Sequence, residues 1–162
     1  MTIQKFPKKL AEQMFDANVK FESILHVPTL TVSEQLPEKF EDFITDLESY
    51  AEDFIKQHPQ LQCCIEKLIE HADELMDEDY AQQFARYCGE LEFLIQIEFP
   101  TPRNFKFDEG GKYLSCSVGG WYRIEWIFAK NMQDAAEQAI QIATNCFKEE
   151  EQKARKEQGL EG

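Results

Sequence analysis

The stretch 108-DEGGKYLSCSVGGWYRIEW-126 sets two glycine pairs nine residues apart, with one alternating apolar run between them and another after the second. A phosphate-binding loop places its glycines between a strand and a helix, where backbone N–H groups at the helix N-terminus meet the anion. Here each pair lies between two strand-like runs, and no Gly-Lys-Ser/Thr follows. From Lys112 to Val118, the side chains of Leu114, Cys116 and Val118 share one face of an extended chain. From Trp121 to Lys130, so do Tyr122, Ile124, Trp126 and Phe128. Asp108-Glu109-Gly110-Gly111 has turn chemistry, and Gly119-Gly120 reads as a hairpin joining the two runs. These glycines turn the chain and hold no nucleotide.

Upstream, 91-LEFLIQIEF-99 alternates Leu91, Phe93, Ile95, Ile97 and Phe99 with Glu92, Leu94, Gln96 and Glu98, the pattern of a half-buried strand. Pro100 and Pro102 end it, and Asn104 to Asp108 forms a short further strand. The first ninety residues follow a helical period instead. After Pro7, Leu10, Met14, Phe21 and Leu25 suggest a first helix ending before His26-Val27-Pro28. Leu36, Phe40, Phe43, Ile44, Leu47, Ala51, Phe54 and Ile55 mark one face of a second, from Ser33 or Pro37 to Gln57. Pro59 opens a third, and Asp77 caps a fourth that stops at Gly89. A last helix begins at Asn131, with Met132, Ala135, Ala136, Ala139, Ile140, Ala143 and Phe147 inward. Residues 148–162 are polar all round and read as an exposed or frayed tail.

The expected architecture is therefore α+β. A mainly helical N-terminal half precedes an antiparallel sheet of three or four strands in residues 90–130, and a C-terminal helix packs on that sheet. At 162 residues, one domain over 1–162 is the economical organisation. Thirteen Phe, five Tyr and two Trp provide a core, each buried Phe contributing about 1.5–3 kcal/mol. No apolar run approaches a membrane span, and the lysine-bearing N-terminus lacks a secretory h-region. Five cysteines, an odd number without a CxxC, fit a reducing cytoplasmic compartment.

Charge is the least uniform feature. Residues 31–99 carry eighteen acidic and four basic side chains, the whole of the net −14, while the rest of the chain balances thirteen against thirteen. Glu38, Glu41, Asp42, Glu48 and Glu52 lie opposite the apolar stripe of the second helix. Glu66, Glu70, Asp73 and Glu74 do so on the third, running on into Asp77, Glu78 and Asp79. Two such helices packed side by side form one negative surface. Phosphates would be repelled there, so direct nucleic-acid binding is not expected.

The residues thus point to a non-catalytic binding protein, an inhibitor, immunity-type protein or adaptor, engaging a basic protein through Glu41, Asp42, Glu48, Glu52, Asp73, Glu74, Asp77 and Asp79. Trp121 and Arg123 on the last strand are secondary interface candidates. The simpler reading has Trp121 covering a hairpin end and Arg123 pairing with a cross-strand acid. A homodimer through the sheet edge or the aromatic strand is compatible with the same pattern. Two further readings use other features. In one, His71 with nearby acids or with Cys63, Cys64 and Cys88 makes a small enzyme or metal protein, although ligand pairs of structural-zinc type are missing and no cofactor is expected. In the other, the rows of carboxylates imitate DNA and occupy a DNA-binding protein.

Overall fold

The structure, a computed structural model, describes residues 8–27, 36–70, 86, 88–118 and 120–160. The elements, in order, are α1 (Lys8–Asp16), β1 (Lys20–His26), α2 (Leu36–Gln57), a 3-10 turn (Pro59–Leu61) and α3 (Gln62–Glu70). There follow β2 (Phe93–Pro100), β3 (Arg103–Phe107), β4 (Tyr113–Ser117), β5 (Tyr122–Ala129) and a C-terminal helix α4 (Met132–Glu157). The fold is α+β, with α4 packed on the sheet. Among the described residues no helix is long and apolar enough to cross a membrane.

A three-stranded sheet runs in the order β1-β2-β5, and β3 with β4 forms a separate two-stranded antiparallel sheet. The chain divides into two compact units. One comprises Met1–Glu22, Ile97–Glu125 and Met132–Gly162; the other comprises Ser23–Gln96 and Trp126–Asn131. The division falls inside β1, β2 and β5.

The second unit, Ser23–Gln96 with Trp126–Asn131, is built on α2. Its core joins Phe43, Leu47 and Phe54 of that helix to Leu61, Ile65, Leu25, Leu94, Trp126 and Phe128. The aromatic rings meet edge to face, Phe43 on Trp126 at 5.2 Å and Phe54 on Phe128 at 5.4 Å between centroids, a geometry that aligns ring edge with ring face electrostatically. The expected end of α2 at His58-Pro59 holds: the His58 N–H donates to Phe54 O at 2.8 Å, and proline then starts a 3-10 turn. Gly89, expected as a helix stop, has φ +59 and follows the helical Cys88. Leu94, which alternation assigns to the polar face of its strand, is fully buried in this core, so both faces of β2 are covered there.

The first unit holds α1, β3, β4 and α4. Helices α1 and α4 pack together, and the buried alanines Ala135, Ala136, Ala139 and Ala143 give α4 a smooth face for close approach. Phe105, Tyr113 and Phe147 form an edge-to-face group that seats the β3–β4 ribbon on α4. Arg155 fastens the turn: its Nη1 donates to Gly111 O at 2.6 Å, its Nη2 pairs with Glu151 at 3.1 Å, and its guanidinium lies over the Phe107 ring at 4.4 Å.

Three sequence expectations are corrected. The first helix ends at Asp16, not near His26, because Asn18 takes a left-handed φ of 58°. Its N–H donates to Phe15 O, and the Val19 N–H to Met14 O, both at 3.0 Å, closing the helix with asparagine in the place usually held by glycine. Phe21 and Leu25, four apart, fit a helix and a strand equally; the structure makes them β1. Second, β4 and β5 do not pair as a hairpin. β4 pairs with β3, while β5 lies beside β2, and Trp121 O already accepts from the Thr101 N–H at 2.7 Å. Third, the polar segment from Lys148 is helical to Glu157. Gly159, at φ +72, and Leu160 close it by donating to Lys156 O at 3.2 Å and Arg155 O at 2.8 Å.

Candidate interaction surfaces

The Asp108-Glu109-Gly110-Gly111 turn engages its own backbone donors. Asp108 Oδ1 accepts from the backbone N–H groups of Gly110 at 2.9 Å and Lys112 at 2.8 Å, so the strand's own carboxylate occupies the donors a phosphate would need. Gly111, at φ +83, lets the chain reverse between Asp108 and Lys112, where the Asp108 N–H donates to Lys112 O at 2.8 Å.

The acidic surface begins on α2. Successive helical residues rotate by about 100°, which carries Asp42, Glu52 and Asp53 away from the buried Phe43, Leu47 and Phe54; all three acids are exposed. Glu41 and Glu48 belong to the same helix, but their side chains lie outside the described residues. Helix α3 packs against α2 and exposes Glu66 and Glu70. Gln62 Nε2 donates to Glu66 at 2.9 Å. Among the described residues, no ion pair joins Asp42, Glu52, Asp53, Glu66 or Glu70 to a lysine or arginine. Asp73, Glu74, Asp77 and Asp79 lie outside the described residues, as does His71 of the enzyme or metal reading; the side chain of Cys64 does too. Among the described residues no group of three His, Cys, Asp or Glu side chains could hold a metal ion. Cys63 is exposed and Cys88 is buried.

Charge follows the units. Ser23–Gln96 with Trp126–Asn131 contains seventeen acidic and five basic residues, net −12, and the rest of the chain fourteen and twelve, net −2.

Compared with protein-family models, with curated proteins and with solved structures, the chain matches none.

One aspartate on the acidic helix faces inward. Asp46 Oδ2 accepts from Trp126 Nε1 at 2.9 Å and from Gln96 Nε2 at 3.4 Å, and Gln96 Oε1 accepts from Ser23 Oγ at 3.4 Å. This carboxylate orders the underside of α2 and is not available to a partner.

The two secondary candidates are separated by their surroundings. Trp121 is 62 % exposed, with the Arg103 guanidinium 4.6 Å from its ring centroid. Arg123 pairs with Glu125 at 3.0 Å, two residues along the same strand and not across it, and donates from Nη1 to Cys146 Sγ at 3.5 Å. Burial pushes the Cys146 thiol above its ordinary range, against the opposing pull of Arg123. Arg123 is thus a partly engaged structural group, while Trp121 presents its indole to solvent.

Sequence reasoning did not find the largest apolar exposure. Phe15 is 82 % exposed, Tyr122 and Leu114 are each 59 % exposed, and Val118 is 41 % exposed, all in the first unit. Phe15, Val118 and Tyr122 line a groove of about 500 Å³ with Met14, Val19, Pro100, Lys20 and Glu98. The signal was present as Phe15 off the inner stripe of α1, yet a lone apolar residue is an ordinary surface feature. A second groove of about 410 Å³, between Arg103, Asn104, Glu150, Lys153 and Glu157, is polar, and its Lys153 and Glu150 already pair at 3.4 Å.

Proposed function

We propose that the chain is a non-catalytic cytoplasmic binding protein that engages a basic protein partner through the outer faces of α2 and α3, acting as an inhibitor, immunity-type protein or adaptor. One observation supports this reading above the others. Asp42, Glu52, Asp53, Glu66 and Glu70 stand exposed on two neighbouring helices, and among the described residues none is neutralised by a lysine or arginine. Like charges gathered on one surface oppose folding through mutual repulsion, a cost that a cationic partner would relieve. Complementary charge of this kind raises association rates and rejects wrong partners more than it deepens affinity.

The test is kinetic. A partner is captured from source lysate at low and moderate salt, purified, and mixed with the chain in stopped flow across a range of ionic strength. The variant carrying Asp42→Lys, Glu52→Lys, Asp53→Lys and Glu70→Lys should associate more slowly, with a flatter salt dependence, and dissociate at a similar rate. Unchanged association kinetics would overturn the proposal.

A further inference from the structure

Phe15 projects from the C-terminal turn of α1, one residue after the buried Met14, and leaves four-fifths of its surface in water. Beside it, Tyr122 and Val118 are also uncovered, and the three side chains line the groove of about 500 Å³ together with Val19 and Pro100. Clustered apolar exposure of this kind marks an interaction surface. The groove can seat one or two large apolar side chains.

The rim decides what kind of segment carries them. Glu98 lines the groove, and Lys20 on its edge is shared between Glu22 at 3.4 Å and Glu98 at 3.6 Å. Glu12, one turn before Phe15 on α1, and Asp16 are exposed as well. Glu98 and Glu22 thus share the lysine that lines the groove, and Glu12 and Asp16 stand uncovered on the helix that carries Phe15. Lys8 and Lys9 sit at the far end of α1, about 10 Å away along the helix axis, a full screening length at moderate salt. Apolar floor and acidic rim together select an apolar side chain flanked by cationic ones. A second copy of this chain, with the same acidic rim and a net charge of −14, is a poor occupant.

We infer that the groove beside Phe15 and Tyr122 is a docking site for a basic amphipathic segment of a protein partner, which inserts an apolar side chain between the two rings while its lysines or arginines meet Glu98, Glu22 and Asp16. The inference rests on the reading of the chain as a binder of basic proteins, and it adds an apolar anchor on a surface other than the acidic helices. Buried aromatic anchors supply most of the free energy at such sites, whereas rim charges supply selectivity.

The experiment uses the full chain and two fluorescein-labelled 18-residue peptides, one of leucine and lysine in helical amphipathic order and one with every leucine replaced by serine. Fluorescence anisotropy gives the affinities, and two-dimensional amide NMR locates the contact. The leucine peptide should bind at least tenfold more tightly than the serine peptide and shift the amides of Asn18, Val19 and Tyr122. Phe15→Ser with Tyr122→Ser should weaken it by about tenfold, the effect of losing one good anchor, whereas Asp42→Lys with Glu52→Lys should change it by less than threefold. Either serine change on a folded protein is an exposed substitution, and circular dichroism confirms that the fold is kept. Equal affinity of the two peptides, no effect of the groove variants, or a self-associated protein with the groove amides already protected overturns the docking site and leaves the acidic-helix reading standing. Loss of binding only in the Asp42→Lys, Glu52→Lys variant also overturns the docking site, and it favours the acidic helices.

Discussion

Trp126 on β5 donates its indole N–H to Asp46 of α2 at 2.9 Å, joining residues eighty positions apart in the chain. The indole is 4 % exposed and its ring also meets Phe43, so the bond fixes the rotation of α2 about its axis as well as satisfying a buried donor. That rotation decides which carboxylates point outward.

Asp46→Ala should therefore lower stability by about 1–3 kcal/mol, because it strands the indole N–H and the Gln96 amide together. Urea denaturation measures the loss. Combining it with Trp126→Phe in a double-mutant cycle should return a coupling of at least about 0.5 kcal/mol; additive effects would mean that the bond contributes nothing beyond packing.

Arg155→Ala should release the β3–β4 ribbon from α4. Removal of the donor to Gly111 O, the Glu151 pair and the stacking on Phe107 costs about 1–2 kcal/mol. The amides of residues 105–115 should exchange with solvent faster, while those of α2 are unaffected. Arg155→Lys should not restore protection, since a single ammonium cannot make the forked contact and cover the ring.

The imidazole of His58 packs edge-on against Phe128 at 5.1 Å, and burial lowers its pKa from the ordinary 6.5. The unfolded chain then takes up the proton before the folded one does. Its contribution to stability is complete above about pH 6.5 and is lost as the pH falls from there through the depressed folded value. His58→Phe, which keeps a ring against Phe128, should change stability by an amount that is constant above neutrality and grows in favour of the variant between pH 6.5 and 5. A difference independent of pH across that range would refute the assignment.

If the outward acids of α2 and α3 repel one another, removing their charge stabilises the fold. Asp42→Asn, Glu52→Gln and Glu70→Gln should each add a few tenths of a kcal/mol at low ionic strength and almost nothing near 0.5 M salt, about where exposed charges are screened within a few ångströms. Thermal melts at the two salt concentrations distinguish this from a surface already neutralised by internal pairs.

Periodicity carried much of the fold to the reader. The 3.6-residue stripe of α2 and the alternation in β2 are long and regular, so Phe43, Leu47, Phe54, Ile97 and Phe99 are buried where their spacing puts them. Short segments were ambiguous for a physical reason: Phe21 and Leu25 satisfy both periods, and only the left-handed turn at Asn18 separates α1 from β1. Pairing partners were less legible still, because alternation marks a strand and says nothing about its neighbour. Of the candidate surface, Asp42 and Glu52 stand outward as their helical positions require, whereas the groove at Phe15 draws on four separate stretches of chain and has no signature in any of them.

Composition and local pattern by themselves determined α2, β2 and the inner face of α4, the helix stops at Pro59 and Gly89, and the concentration of negative charge in residues 31–99, since these depend on side chains a few positions apart. Tertiary structure alone decided that Asp46 turns inward to Trp126 while Asp42 does not, that β4 pairs with β3, and that Arg155 makes a polar helix end part of the folded body. Each of those outcomes depends on groups brought together from distant parts of the chain, whose free energy of meeting no local pattern contains.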